Sequence, residues 1–256
     1  MTDEWETKIT KVTPNELLIR GYPLDDLIGS ITFASGIFLI IRGELPSLAE
    51  EKVINAILVS SIDHGVTAPS AVAARTVASC GVPITTAIGA GILAIGDYHG
   101  GAGERCFKFL KECLQNRKNG QSLQELAAIT VQTVREQKIR IPGFGHRYHS
   151  QDPRTIKLLK IADQEKISGV YVNFAQILAK ELSDQSQKPL PLNVDGTIGA
   201  ILADMGFEAS TAKAFFAISR IAGLTAHILE EYTQRPVRTI IPSEAKYTGN
   251  TKRRLP

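Results

Sequence analysis

Two Ser-x-x-Glu boxes, Ser47-Leu48-Ala49-Glu50 and Ser122-Leu123-Gln124-Glu125, each stand directly before apolar residues at helical spacing. In such a box the serine hydroxyl accepts from the third helical amide. The glutamate reaches back to the serine amide, so two otherwise orphaned donors are satisfied. The first box leads into Val53, Ile54, Ile57 and Leu58, the second into Ala127, Ala128, Val131 and Val134. Steps of three and four place each set on one helix face. Asp152-Pro153 marks another start, because the fixed φ of proline suits the first helical position. Residues 172–183, 195–205 and 210–232 read as further helices, with Gly206 as the glycine that follows the second of them. Gly120 is expected to end the amphipathic stretch 104–118. Linkers are short, at 141–145 and 187–193, and no convincing period-two run or fixed repeat appears. The expected fold is all-α.

Composition narrows the function classes. The 256 residues, 43% hydrophobic and 21% charged, can bury a sizeable core in one domain or in one large and one small domain. Lys and Arg number 29 against 26 Asp and Glu, too balanced and too evenly spread for a nucleic-acid binder. Cys80, Cys106 and Cys113 are odd in number and form neither a C-x-x-C pair nor a zinc spacing. Met1-Thr2-Asp3-Glu4-Trp5 is acidic and lacks a signal-peptide pattern, so a cytoplasmic location is expected. Residues 76–96 carry no formal charge and are long enough on paper to span a bilayer. Gly81, Gly89, Gly91, Gly96 and Pro83 favour a buried core or subunit-interface helix over a membrane span.

The polar residues point to chemistry. Three of the five histidines lie among glycines: His64-Gly65, His99-Gly100-Gly101 and Gly143-Phe144-Gly145-His146. Glycine lets a ligand approach the main chain, although each histidine taken singly fits a structural role equally well. His227, inside an apolar helix, reads as structural, and His149 as a solvated loop residue. Asp195 stands at a helix start, where an N-cap or first-turn aspartate suits the helix dipole. Arg154 follows Asp152-Pro153, and Arg220 interrupts the apolar run Phe215-Phe216-Ala217-Ile218. An arginine in such company needs a carboxylate partner, from the protein or from a substrate. No metal constellation, phosphate loop or nucleophile elbow occurs, so no metal and no resident cofactor is expected. The set suits proton transfer at a carbonyl, with arginines holding carboxylates.

These motifs, in this order, resemble the citrate synthase superfamily from Arg20 to Gly249. Arg20-Gly21-Tyr22-Pro23-Leu24-Asp25-Asp26-Leu27 and Arg42-Gly43-Glu44-Leu45-Pro46 match its N-terminal signature. Asp63-His64-Gly65, Tyr98-His99-Gly100-Gly101-Ala102 and Pro142-Gly143-Phe144-Gly145-His146-Arg147 match its three histidine motifs. Asp152-Pro153-Arg154, Asn193-Val194-Asp195, Ser219-Arg220 and Ala226-His227-Ile228-Leu229-Glu230 follow.

The resemblance implies an all-α homodimer or higher homo-oligomer. A small domain near 105–205 would be inserted in a large one, 1–104 plus 206–256. It makes His64, Arg154 and Arg220 ligands of oxaloacetate, with Arg235 and Arg238 as candidates for a further carboxylate contact. His99 becomes the donor to the thioester oxygen and His146 the acid/base at the keto or tertiary hydroxyl oxygen. Asp195 becomes the carboxylate that moves the α-proton. Gly143, Phe144, Gly145 and Arg147 fall in the coenzyme A-binding loop, coenzyme A being part of the substrate.

Departures from the family pattern narrow the reading. Asp195 is followed by Gly196-Thr197-Ile198-Gly199, where synthases usually carry Phe-Tyr-Ser-Gly. Ile95-Gly96-Asp97 stands where they usually read Lys-Gly-Pro. Both changes resemble stand-alone citryl-CoA lyases and the citryl-CoA-cleaving module of ATP-citrate lyase, whereas His99 is synthase-like, that module having Phe there. The expected activity is cleavage of citryl-CoA to acetyl-CoA and oxaloacetate. A compact citrate or methylcitrate synthase and a catalytically idle coenzyme A-binding assembly subunit are the alternatives. No nucleic-acid or membrane partner is expected.

Overall fold

A computed structural model describes residues 5–145, 152–186 and 189–237. The chain opens with a small antiparallel sheet of β1 (Thr10–Thr13), β2 (Glu16–Ile19) and β3 (Tyr22–Pro23). Helices then follow without further strands among the described residues: α1 (Leu24–Leu27), α2 (Phe33–Arg42), α3 (Leu48–Ser60), α4 (Pro69–Ala78), α5 (Ile84–Leu93) and α6 (Ala102–Gln115). After them come α7 (Leu123–Glu136), α8 (Pro153–Gln164), α9 (Val170–Asp184), α10 (Val194–Asp204) and α11 (Ser210–Glu231).

The all-α reading holds, and both serine boxes open helices as expected. Ser47 and Ser122 each accept from the third helical amide while Glu50 and Glu125 return to the serine amide. Asp152 caps α8 with Pro153 in its first turn. Gly206, at φ +73, follows α10, its amide bonded to Ala203 O while the Phe207 amide reaches Leu202 O.

The sheet corrects the expectation of no strands. Its strands are at most four residues long, too short for alternation to show. The legible signal was the turns. Thr13 pairs with Glu16 across Pro14-Asn15, and Ile19 pairs with Tyr22 across Arg20-Gly21. Both residues of the second turn have positive φ, 51° and 92°, as a tight hairpin requires. Gly120 does not itself end α6, which stops at Gln115 with Asn116 as cap; it sits in the following turn at φ +78.

The chain divides into two compact units. Among the described residues, the larger comprises those of 5–63 and 95–220, the smaller those of 64–94 and 221–237. The described residues of 105–205 lie within the larger unit, their buried apolar side chains forming one core with Ala34, Phe38, Val53 and Ile54 of α2 and α3. At its centre runs α10, whose residues Gly196–Ala203 are all buried. A helix apolar all round belongs inside. Asp204 at its end accepts the amides of Gly169, Tyr171 and Val172, so the end of one helix anchors the start of α9.

The smaller unit is built on small residues. Ala68, Ala71, Ala74, Ala78 and Ala87 pack with Leu224 and Ile228. The charge-free run 76–96 breaks at Ser79–Pro83, leaving α4 and α5 at ten residues each. Among the described residues one helix, Ser210–Glu231, is long and apolar enough to cross a membrane, and 39% of its most apolar window is buried.

Candidate functional site

Asp195 lies in the first turn of α10, half-buried, and it is not the cap. Asn193 caps the helix by accepting from the Gly196 amide at 3.1 Å. Asp195 thus occupies the first turn, where the helix dipole favours an anion. Its position is fixed by close backbone contacts. A Cβ on Gly196 would lie 2.5 Å from Gly143 O, and one on Gly199 would lie 2.5 Å from Gly103 O. Only glycine lets α10 approach α6 and the 142–145 loop this closely. Thr197, fully buried, bonds Asn193 O at 2.8 Å and meets the Thr155 hydroxyl of α8 at 3.2 Å. A bulky aromatic pair at 196–197 has no room here.

The Gly143-Phe144-Gly145 loop is tied to the same helix start. The Gly145 amide donates to Pro191 O at 2.7 Å and the Asn193 amide to Gly143 O at 3.0 Å. The Asn193 side-chain amide reaches Gly145 O at 2.9 Å. Phe144 itself is a core residue, 5% exposed. These three residues act in this structure by holding the loop against the start of α10. The next residues, His146 and Arg147, lie outside the described residues, as does Arg238.

His99 stands in the short turn before α6, half-buried. The turn closes through Gly96 N to His99 O at 2.9 Å and His99 N to Gly96 O at 3.1 Å. Gly100 follows at φ +83, and a Cβ there would sit 2.6 Å from the Phe216 ring. Phe216 packs edge-on against the imidazole, with ring centres 5.7 Å apart, and its face lies 4.6 Å beneath the Arg220 guanidinium. The sequence offered Phe216 only as one of an apolar run. Its half-exposed position between a histidine and an arginine is a property of the folded chain.

Arg220 is 2% exposed. Its Nε donates to Ser61 O at 3.1 Å, while Nη1 has no hydrogen-bond partner among the described residues. Burial pulls its pKa below the ordinary arginine range. The nearby carboxylates of Asp63 and Asp195 push it back up, and the positive charge of Arg154 pushes it down. Burial also drives the Cys106 thiol far above its usual range, with the charge of Asp195 adding to the effect. Asp195, Arg154 and Arg220 thus share one electrostatic neighbourhood.

Arg154 is held differently. Its Nε and Nη2 lie 3.0 and 2.9 Å from the two oxygens of Asp152, a two-pronged ion pair. Burial alone would raise the Asp152 pKa. Hydrogen bonds and charge from Arg154, and the amides of Arg154 and Val194, bring it below the ordinary value. Arg154 keeps 26% of its side chain exposed and borders a cavity of about 820 Å³ between α3 and α8.

His64 and Arg235 belong to the smaller unit, and both are exposed. His227 lies there too, its Nδ1 3.4 Å from Arg75 Nη1, in keeping with its structural reading.

The arrangement offers a half-buried carboxylate on a tightly packed helix start, an imidazole against an aromatic ring, and a buried guanidinium with an unused donor. A fixed donor opposite developing negative charge stabilises an enolate. A buried guanidinium nitrogen without a partner calls for a carboxylate ligand.

The family described as "Citrate synthase, C-terminal domain" matches residues 46–242. Citrate synthase 2 of Bacillus subtilis (strain 168) is 32% identical over 220 residues, covering 84% of this chain and 55% of its own length. This chain therefore spans about half the length of the curated relatives it matches. A citryl-CoA lyase structure from Hydrogenobacter thermophilus is 43% identical with a TM-score of 0.89, covering 98% of this chain and 97% of its own. ATP citrate lyase from Methanothrix soehngenii, solved with citrate and coenzyme A, shares the fold. Its TM-score is 0.85 at 21% identity, over 98% of this chain and 42% of that one.

Proposed function

The chain belongs to the citrate synthase family, and within that family we propose that it cleaves citryl-CoA to acetyl-CoA and oxaloacetate. The reading rests on the end-to-end likeness to the Hydrogenobacter lyase, which spans nearly the whole of both chains. It is supported by the Gly196-Thr197 departure, because the contacts of Gly196 with Gly143 exclude the aromatic residues usual in synthases.

Citryl-CoA carries a tertiary hydroxyl beside the carbon–carbon bond to be broken. His146, by resemblance the acid/base at this oxygen, accepts the hydroxyl proton as the carbonyl of oxaloacetate forms. The electron pair of the breaking bond passes to the acetyl-CoA enolate. His99 donates to the enolate oxygen, and Asp195 delivers a proton to its α-carbon. No water is consumed. Arg220 and Arg154 hold the carboxylates of the oxaloacetate half, and their mutual repulsion is relieved when those anions arrive. His64, Arg235 and Arg238 are further proposed ligands. The coenzyme A contacts at the Gly143-Phe144-Gly145 loop and Arg147, and a homo-oligomeric assembly, complete the proposal.

Purified protein is expected to release acetyl-CoA and oxaloacetate from citryl-CoA without ATP or divalent metal. Asp195→Asn, of similar volume but unable to carry the proton, should lower turnover by roughly 10²–10⁴-fold while leaving melting nearly unchanged. An Asn variant within a few-fold of wild type would return Asp195 to a helix-dipole role. The second reading, a compact synthase, is favoured by His99 and by the synthase names of its curated relatives. Net release of free coenzyme A from acetyl-CoA plus oxaloacetate, with no turnover of supplied citryl-CoA to acetyl-CoA, would replace the lyase reading with that one.

A further inference from the structure

The turn that carries His99 is held by more than its own backbone. Asp97, two residues before His99, receives a hydrogen bond from Lys213 Nζ at 3.0 Å. The same Nζ lies 3.3 Å from Glu104 Oε2, in the first turn of α6. Lys213 stands one helical turn before Phe216 on α11, so the residue that clips the turn and the ring that braces the imidazole share a helix face. One ammonium group therefore joins the three pieces that surround His99: its turn, the start of α6 and α11. The clip exists because position 97 is Asp, where synthases usually carry a proline without a carboxylate.

We propose that Lys213, through Asp97 and Glu104, is a positioning residue that fixes the height and direction of the His99 imidazole against the substrate thioester. The pair is an unpromising stability device. Asp97 keeps 67% and Lys213 32% of its side chain exposed, and exposed ion pairs add little to folding. A donor aimed at developing charge tolerates far less freedom than a fold does, since about 0.5 Å separates productive from unproductive geometry. Each partner of the clip also holds its charged form more firmly than usual. Hydrogen bonding to Asp97 and Glu104 raises the Lys213 pKa, and hydrogen bonding from Lys213 lowers that of Asp97.

The inference rests on His99 acting as the thioester donor, a role common to the cleavage and condensation readings, so turnover can be followed in whichever direction the wild type runs. Lys213→Met should lower kcat about tenfold while KM for the acyl-CoA substrate stays within about twofold, because the lost geometry matters in the transition state. The melting temperature should move by no more than about 2 °C. Lys213→Arg, which keeps charge and reach, should recover kcat to within about twofold of wild type. Asp97→Asn should slow turnover in the same way, and the double variant should be no slower than Lys213→Met alone. A Lys213→Met kcat within twofold of wild type overturns the inference. So does a kcat loss that tracks a fall in melting temperature and resists rescue by Arg. A wild type inactive in both directions defeats the functional reading itself, a result distinct from either.

Discussion

Arg75 and Arg220 are both buried arginines, 5% and 2% exposed, one in each unit, and they are furnished in opposite ways. Arg75 of α4 brings its own anions. Its Nε lies 2.7 Å from the buried Glu231 carboxylate, and its Nη1 lies 2.6 Å from Glu230. Arg220 is given one backbone carbonyl and an aromatic face, with the carboxylates of Asp63 and Asp195 nearby, and its Nη1 has no hydrogen-bond partner among the described residues. A folding chain that buries a guanidinium solely for structure supplies its counter-charge, because an unpaired buried charge is costly. For Arg220, whose Nη1 is unmatched, the proposed partner is a substrate carboxylate. The contrast is the ground for proposing that Arg75 is structural and that Arg220 binds a substrate carboxylate.

The largest effect that can break this comparison is expected at Arg75. Arg75→Met leaves Glu231 buried without its cation, which should cost about 3–5 kcal/mol. At this chain length that corresponds to a fall of about 10 °C in melting temperature. A Met variant that melts with wild type would show that burial and pairing say nothing of role here.

Arg220→Lys should behave inversely, since a point charge replaces a rigid fork. Oxaloacetate affinity should weaken by about tenfold or more, with the melting temperature within about 2 °C of wild type. In thermal melts, saturating oxaloacetate near 100 times its Kd should stabilise the wild type by about 2.7 kcal/mol. The Lys variant at the same concentration should lose much of that shift. Unchanged affinity with lost stability would move Arg220 into the class of Arg75.

Arg154 is the intermediate case, with a paired guanidinium that remains partly exposed, and its partner supplies a smaller, pH-dependent test. The folded-state pKa of Asp152 lies below the ordinary carboxylate value of about 3.9. Its ionised form therefore contributes stability at pH above that value, and the contribution is lost as pH falls through the folded pKa. The stability advantage of wild type over Asp152→Asn should be full at about pH 6 and shrink on acidification below about pH 4. An advantage that is flat across that range would mean the pair contributes nothing through charge.

The helices were legible because their signals are local. Ser47, Ser122 and Asp152 each announce a start through a side chain that meets an amide two or three residues ahead. The hairpin at 10–23 was missed because four-residue strands carry too little alternation, although Pro14-Asn15 and Arg20-Gly21 sit four residues apart in the pattern of two tight turns. At the site, His99, Asp195, Arg154 and Arg220 stood out as polar residues in glycine-rich or apolar company. Phe216 did not, because an aromatic residue in an apolar helix looks the same whether it fills a core or supports an imidazole. Lys213 was equally silent, being one charged residue near the start of the same helix, and its partner, Asp97, lies 116 positions away.

The sequence by itself determined the helical class, the helix starts and the order of the site motifs, since capping, periodicity and glycine flanks act over a few residues. Three things were decided only in the folded chain. One was that Gly196 stands in place of an aromatic because Gly143 O lies against it. Another was that Arg154 already holds Asp152 while Arg220 keeps an unused donor. The last was that Asn193, and not Asp195, caps α10. Each depends on atoms brought together by packing from distant parts of the chain, or on which of two nearby polar side chains wins an amide. Local chemistry leaves such contests open until the backbone is in place.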